Sequence, residues 1–169
     1  MYTENAAPVH TAVPVISPGA VASVDAQVRG LCERYAKRLP FHGWHHVSFV
    51  RSKAVQFAHA NGAEVSVVET AALVHDVNYL VRRNSPAAAG EQLRLDVLER
   101  AGVRAATAQW IDDIVVEAEM ANRGPDISVE AQALSDADTL FKALPVTPVM
   151  LSHRYLAENG ISLDRKSVV

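Results

Sequence analysis

Within Ala71-Ala72-Leu73-Val74-His75-Asp76-Val77-Asn78-Tyr79, an apolar run delivers an adjacent histidine and aspartate and then turns polar. The imidazole offers a neutral nitrogen ligand and the carboxylate an anionic oxygen ligand, a pair suited to a borderline or moderately hard divalent metal. Two ligands do not hold a catalytic ion, and the chain supplies further donors. His46 lies 29 residues upstream of His75, inside Phe41-His42-Gly43-Trp44-His45-His46-Val47. Asp136 and Asp138 lie 60 and 62 residues downstream of Asp76, inside Leu134-Ser135-Asp136-Ala137-Asp138-Thr139-Leu140.

The elements that must position these groups all read as helices. Val24, Val28, Leu31, Cys32, Tyr35 and Leu39 recur at three- and four-residue intervals. This predicts a helix over residues 23–39, with Ser23 as N-cap and Pro40 as terminator. A second helix is predicted over 44–60, with Val47, Val50, Ala54, Phe57 and Ala58 inward and Asn61-Gly62 as its stop. His42 and His46 share a face at its start, whereas His45 is rotated about 100° from His46.

The Val- and Ala-rich stretch 65–76 has strand-forming residues but no clean alternation and no hairpin partner, so a helix is predicted there too. A connecting loop, 77–85, carries Tyr79, Arg82 and Arg83. Ser85-Pro86 caps a helix to Arg100 with Leu93, Val97 and Leu98 inward and Gly102 as its stop. Another helix spans 107–120, with Trp110, Ile111, Ile114 and Val115 inward. Glu117 and Glu119 stand near its C-terminal end, which the helix dipole disfavours, so one of them is expected to meet a basic group or the cleft. Ser128 caps a helix over 129–144 that holds Asp136 and Asp138, and Thr147-Pro148 opens a last helix to Glu158. Aspartate inside a helix is mildly unfavourable, and a carboxylate among Leu134, Ala137, Leu140 and Phe141 needs a partner or a metal.

A histidine, then His-Asp, then a distant aspartate resembles the pattern of the HD superfamily of metal-dependent phosphohydrolases. The likeness runs from about residue 40 to 145 and rests on Phe41, His42 and His46, on the Ala-Ala-Leu-Val-His-Asp core, and on Asp136-Ala137-Asp138. It implies an all-α fold, a compact bundle of about six or seven helices with a metal site at its centre. It also implies His46, His75, Asp76 and Asp136 as ligands of one divalent ion, Asp138 being the rival for the last place. Manganese, iron, cobalt, nickel and zinc all suit such a nitrogen and oxygen set. By the same resemblance Glu91 neighbours the site as a proton carrier, and Tyr79 stands where nucleotidase-like relatives carry an acidic glutamate. His42 is expected to bind substrate or to support the site. Arg82 and Arg83 are the nearest cations and the candidates for gripping a phosphate.

The implied function is hydrolysis of a phosphate mono- or diester, a nucleotide or another small phosphorylated metabolite, by metal-activated water, with Asp76 in the catalytic centre. Two other classes stay open: an oxygenase or hydratase on the same scaffold, and a metal-binding regulatory module without turnover. Two-iron relatives use extra histidines between the doublet and the last aspartate, and here no histidine falls between His75 and His153.

Composition narrows the partners. With 49% hydrophobic and 21% charged residues in 169, the chain fits one globular domain: an N-terminal arm over 1–20, a helical domain over 21–160 and a tail over 161–169. The net charge of -3 with scattered basic residues offers no stripe for nucleic acid. No apolar run reaches the roughly 18 residues of a membrane span, and nothing at the N-terminus reads as a signal peptide, so a cytoplasmic protein is expected. The single cysteine, Cys32, is read as a core residue rather than a reactive thiol.

Overall fold

The computed structural model describes residues 15–161; the first fourteen residues and the last eight, and with them most of the expected arm and tail, lie outside that range. Every regular element among the described residues is helical: α1 (Pro18–Arg34), α2 (Trp44–Asn61), α3 (Val65–Val74), the single turn α4 (Asn78–Val81), α5 (Glu91–Arg100), α6 (Ala105–Ala118), α7 (Val129–Ala143) and α8 (Ser152–Glu158). A 3-10 turn at Ala87–Gly90 leads into α5, and a π turn at Thr147–Leu151 leads into α8. The all-helical bundle expected from the periodicity is therefore the fold.

The helix whose sequence was most ambiguous lies at the centre. In α3 all but Val65 and Glu69 are buried, and α1, α2, α6 and α7 pack around it. A helix that is apolar on every side is stable only when surrounded. Its β-branched residues thus report burial on all faces, not a strand. The N-cap, Glu64, accepts from the Ser66 amide, and Thr70 Oγ1 donates to the Ser66 carbonyl 2.7 Å away, so the few polar atoms of α3 are satisfied locally.

Two expectations about α1 are corrected. The helix starts at Pro18 with Ser17 as N-cap, the hydroxyl accepting from the Ala20 amide, and it ends at Arg34. Proline at the first helical position is favoured because its missing N–H has no partner there anyway. Tyr35, read as inward, is 40% exposed just past the helix end. In α5 the inward residue missed by the hydrophobic pattern is Arg94, which is fully buried. Its Nε and Nη2 each lie 2.6 Å from Asp112 Oδ1 of α6, and its Nη1 donates to the Ala87 carbonyl. Gly90 is required there, since a Cβ on it would stand 2.7 Å from Arg94 Nη1 and 2.9 Å from the Asn78 backbone nitrogen.

Candidate metal centre

His46 projects from the first turn of α2, which is packed most extensively against α7 and α3. His75 is the C-cap of α3, and Asp76 follows in the turn before α4. These three, distant in sequence, meet in space. His46 Nε2 lies 3.1 Å from His75 Nε2, and Asp76 Oδ2 lies 2.9 Å and 3.1 Å from the two nitrogens.

The triangle fits a shared cation. Two ligands about 2.1 Å from an ion at a right angle are about 3.0 Å apart, which matches all three edges. Asp76 Oδ2 is buried and receives no well-aligned hydrogen bond from the described residues, although a buried carboxylate oxygen needs a partner. His75 Nδ1 donates to the Ala72 carbonyl 2.8 Å away, which leaves the lone pair on Nε2 facing the cluster. His46 is fully buried. Phe41 stacks on its ring at 6.0 Å and Phe141 meets it edge-on at 4.6 Å, so aromatic walls fix its rotamer while its Nδ1 finds no hydrogen-bond partner.

The charges follow from this packing. Burial lowers the His46 pKa, and Asp76 offsets that only in part. For His75 burial acts in the same direction, but Asp76 and the Ala72 carbonyl outweigh it and the net shift is upward. Burial would raise Asp76, yet the imidazoles of His75, His42 and His46 hold its carboxyl well below the usual range. The cluster thus offers an anionic oxygen and two imidazole nitrogens, a donor set for a divalent ion.

Asp136 is not part of it. Two residues along a helix turn the side chain by about 200°, so Asp136 and Asp138 face opposite ways. Asp136, 53% exposed, pairs with Arg123 at 2.5 Å. Asp138 is the aspartate at the cluster: Oδ1 lies 3.5 Å from His46 Nε2, and Oδ2 accepts from Lys142 at 2.6 Å.

A cavity of about 300 Å³ opens over His75 and Asp76, with Asn78 and Tyr79 on one side, Ser135, Asp138 and Lys142 of α7 on another, and Glu119 at the end of α6. Of the cations named from the sequence, Arg82 and Arg83 are exposed and do not line it; Arg83 lies by Gly160 instead. The cation that does line it is Lys142, four residues after Asp138, and its amine is kept protonated because Asp138 outweighs the effect of burial. Glu91 is likewise exposed at the start of α5 and absent from the lining. Glu119 takes its place and accepts from the Ala87 amide at 3.2 Å, whereas Glu117 caps α7 by accepting from the Ser128 amide and hydroxyl.

Tyr79 does line the cavity, and burial together with Asp76 and Asp138 raises its pKa, so it remains a phenol whose O–H can donate a hydrogen bond. His42 is buried behind it. Its ring stacks on Tyr79 at 3.9 Å, and its Nδ1 donates to Glu158 of α8. It therefore supports the site rather than lining the cavity. Asn78 and Ser135 were not singled out by sequence. Both are buried, and Asn78 Oδ1 and Ser135 Oγ lack protein partners.

The fold and the cluster define an all-helical protein with a candidate divalent-metal centre under an acidic and lysine-lined cavity. No family model matches the chain. The uncharacterized protein YpgQ of Bacillus subtilis is 34% identical over 109 residues, covering 59% of this chain and 50% of the relative. A crystal structure of a Lactobacillus plantarum protein, solved as a structural-genomics target, superposes with a TM-score of 0.67 at 23% identity, covering 86% of this chain and 66% of that one. The chain spans about half the length of the first and about two thirds of the second, and the likeness to the second is one of fold. Among the described residues no helix is long and apolar enough to cross a membrane.

Proposed function

We propose that the protein is a metal-dependent phosphohydrolase of the HD type, acting on a small phosphate mono- or diester in the cavity above His75 and Asp76. The observation that carries this reading is the convergence of His46 Nε2, His75 Nε2 and Asp76 Oδ2 within 3.1 Å of one another, from two helices and a turn. These three residues would hold the ion, and Asp138, rather than Asp136, stands near enough to add a fourth ligand. An ion bound there would supply a Lewis acid for a phosphoryl oxygen and a more acidic water.

The protein's own groups divide the remaining work. Lys142 supplies the positive charge that draws a phosphate to the cavity and offsets the acidity of Asp138 and Glu119. Tyr79, held as a phenol, donates a hydrogen bond to a bridging or leaving oxygen and does not act as a base. Asn78 is fixed by donation from its Nδ2 to the Ser85 carbonyl at 2.8 Å, so its free Oδ1 is available to a donor on the substrate.

The test is metal analysis with an anomalous-scattering map, followed by a panel of phosphate mono- and diesters offered to protein reconstituted with manganese, cobalt, nickel, iron or zinc. One bound ion per chain and turnover of a phosphoester are expected. A loaded protein that hydrolyses none of the panel would set the phosphohydrolase reading aside.

A further inference from the structure

We propose that Glu158, on the C-terminal helix α8, is a positioning residue for the metal centre, acting through His42 on His46 and Tyr79; the metal arm of this proposal rests on the reading above. Glu158 is 4% exposed and 116 residues downstream of His42. Its Oε2 accepts from the backbone amides of Phe41 at 2.8 Å and His42 at 3.1 Å, and its Oε1 accepts from the His42 ring. One carboxylate thus gathers three donors from the segment that enters α2.

Among the described residues, no other side chain accepts from the Phe41 or His42 amide. Gly43, the N-cap of α2, provides no side-chain cap, so the residues just before the helix are not held by it. Yet they build the walls of the site. Phe41 stacks on His46, the His42 ring meets His46 edge-on at 5.5 Å, and the opposite side of the His42 contact is the stacked phenol of Tyr79. Because His46 Nδ1 has no hydrogen-bond partner among the described residues, the surrounding rings are what orient it. Tyr155, one turn before Glu158 on α8, packs edge-on against Phe41 at 5.4 Å and seats the clamp. Partners that orient a metal-binding imidazole from behind normally affect affinity nearly as strongly as some ligands do.

The experiment compares the full chain with E158Q, H42A, the double variant and S17A, the last weakening only the remote cap of α1. In metal-free protein, nitrogen-proton correlation spectra of the imidazoles should show the His42 proton on Nδ1. In E158Q that proton should redistribute and the His46 ring signals should shift. Calorimetric titration with cobalt(II) should give about tenfold weaker binding for E158Q, and the double variant should bind no more weakly than H42A. Unmoved His46 signals and wild-type affinity in E158Q would overturn the proposal, as would an equal loss of affinity in S17A, which would assign the effect to stability. Wild-type protein that takes up no metal would overturn the metal reading alone, and the spectra would still decide the positioning claim.

Discussion

Asp138 joins the two halves of the site: one carboxylate oxygen lies 3.5 Å from His46 Nε2, and the other accepts from Lys142 at 2.6 Å. This makes it the aspartate of α7 whose loss the centre should feel. Asp138→Asn is expected to weaken metal binding by at least the 10- to 100-fold, or thereabouts, that an outer-shell partner costs. Asp136→Asn removes only an exposed pair with Arg123, so affinity should not change and stability should move by less than about 1 kcal/mol. Calorimetric titration and urea unfolding of the two variants separate these outcomes.

Removing Asp112 leaves the fully buried Arg94 without its counter-ion. Loss of one member of such a pair costs about 3–5 kcal/mol, so Asp112→Ala should lower the unfolding midpoint by roughly 6–20 °C for a domain of this size. Gly90→Ala should also destabilise, because the new methyl meets both Arg94 and the Asn78 backbone. Thermal unfolding followed by circular dichroism measures both.

Much of the helical order was legible because apolar residues recurred with helical spacing and because Ser128, Gly62 and Gly102 marked helix ends. The grouping of His46, His75 and Asp76 was legible only through the order and spacing that resemble the HD pattern, since a histidine on an apolar face is by itself more often a core residue than a ligand. Arg82 and Arg83 were expected at the site from their nearness to the His-Asp turn along the chain, and Glu91 and Asp136 from the positions that the family resemblance assigns. Arg82, Arg83 and Glu91 are close along the chain, yet the α4 turn and the 3-10 turn carry them outward. Asp138 could have been chosen over Asp136 by helical spacing alone, because it stands four residues after Leu134 and three before Phe141, both of which are buried. Lys142 continues that face. Glu158 gave no such signal, as a carboxylate in a short terminal helix reads as a surface group until the fold brings Phe41 and His42 to it.

Burial raises the Glu158 pKa, but the His42 ring and the two amides outweigh it and the net shift is downward. A carboxyl whose folded pKa lies below its unfolded value of about 4.3 contributes stability that is fully present above that value. The contribution is lost as pH falls through the folded pKa. The stability difference between wild type and E158Q should therefore be constant near neutrality and shrink below about pH 4. Urea unfolding of both proteins across pH 3–7 tests this, and a difference that grows on acidification would contradict it.

Cys32 is 6% exposed, and burial, with Asp76 and Glu33 adding to it, pushes its thiol up to about 11. The thiolate is the reactive form. At pH 8 a disulfide reagent should label the native chain slowly and reach one equivalent rapidly only after unfolding in guanidinium. Fast labelling of folded protein would place the side chain at a surface.

On the reading proposed above, an ion held by His46 of α2 and by His75 and Asp76 at the end of α3 would tie two core helices together, so loading should stabilise the chain. A ligand that binds only the folded state adds about 2.7 kcal/mol at a free concentration 100 times its dissociation constant. For a domain of this length that corresponds to a rise of roughly 5–11 °C in unfolding temperature. The rise should appear on titrating chelator-stripped protein with manganese or cobalt, reverse on adding chelator, and be absent in His75→Ala and Asp76→Ala. Asp76→Asn tests the site separately: the imidazoles of His75, His42 and His46 hold the Asp76 carboxyl well below its usual range, so its charge stabilises the fold near neutrality and the metal-free variant should be less stable than metal-free wild type. Its unfolding temperature should also stop responding to metal. A metal-free Asp76→Asn protein as stable as wild type would mean that the imidazoles do not support the carboxylate's charge.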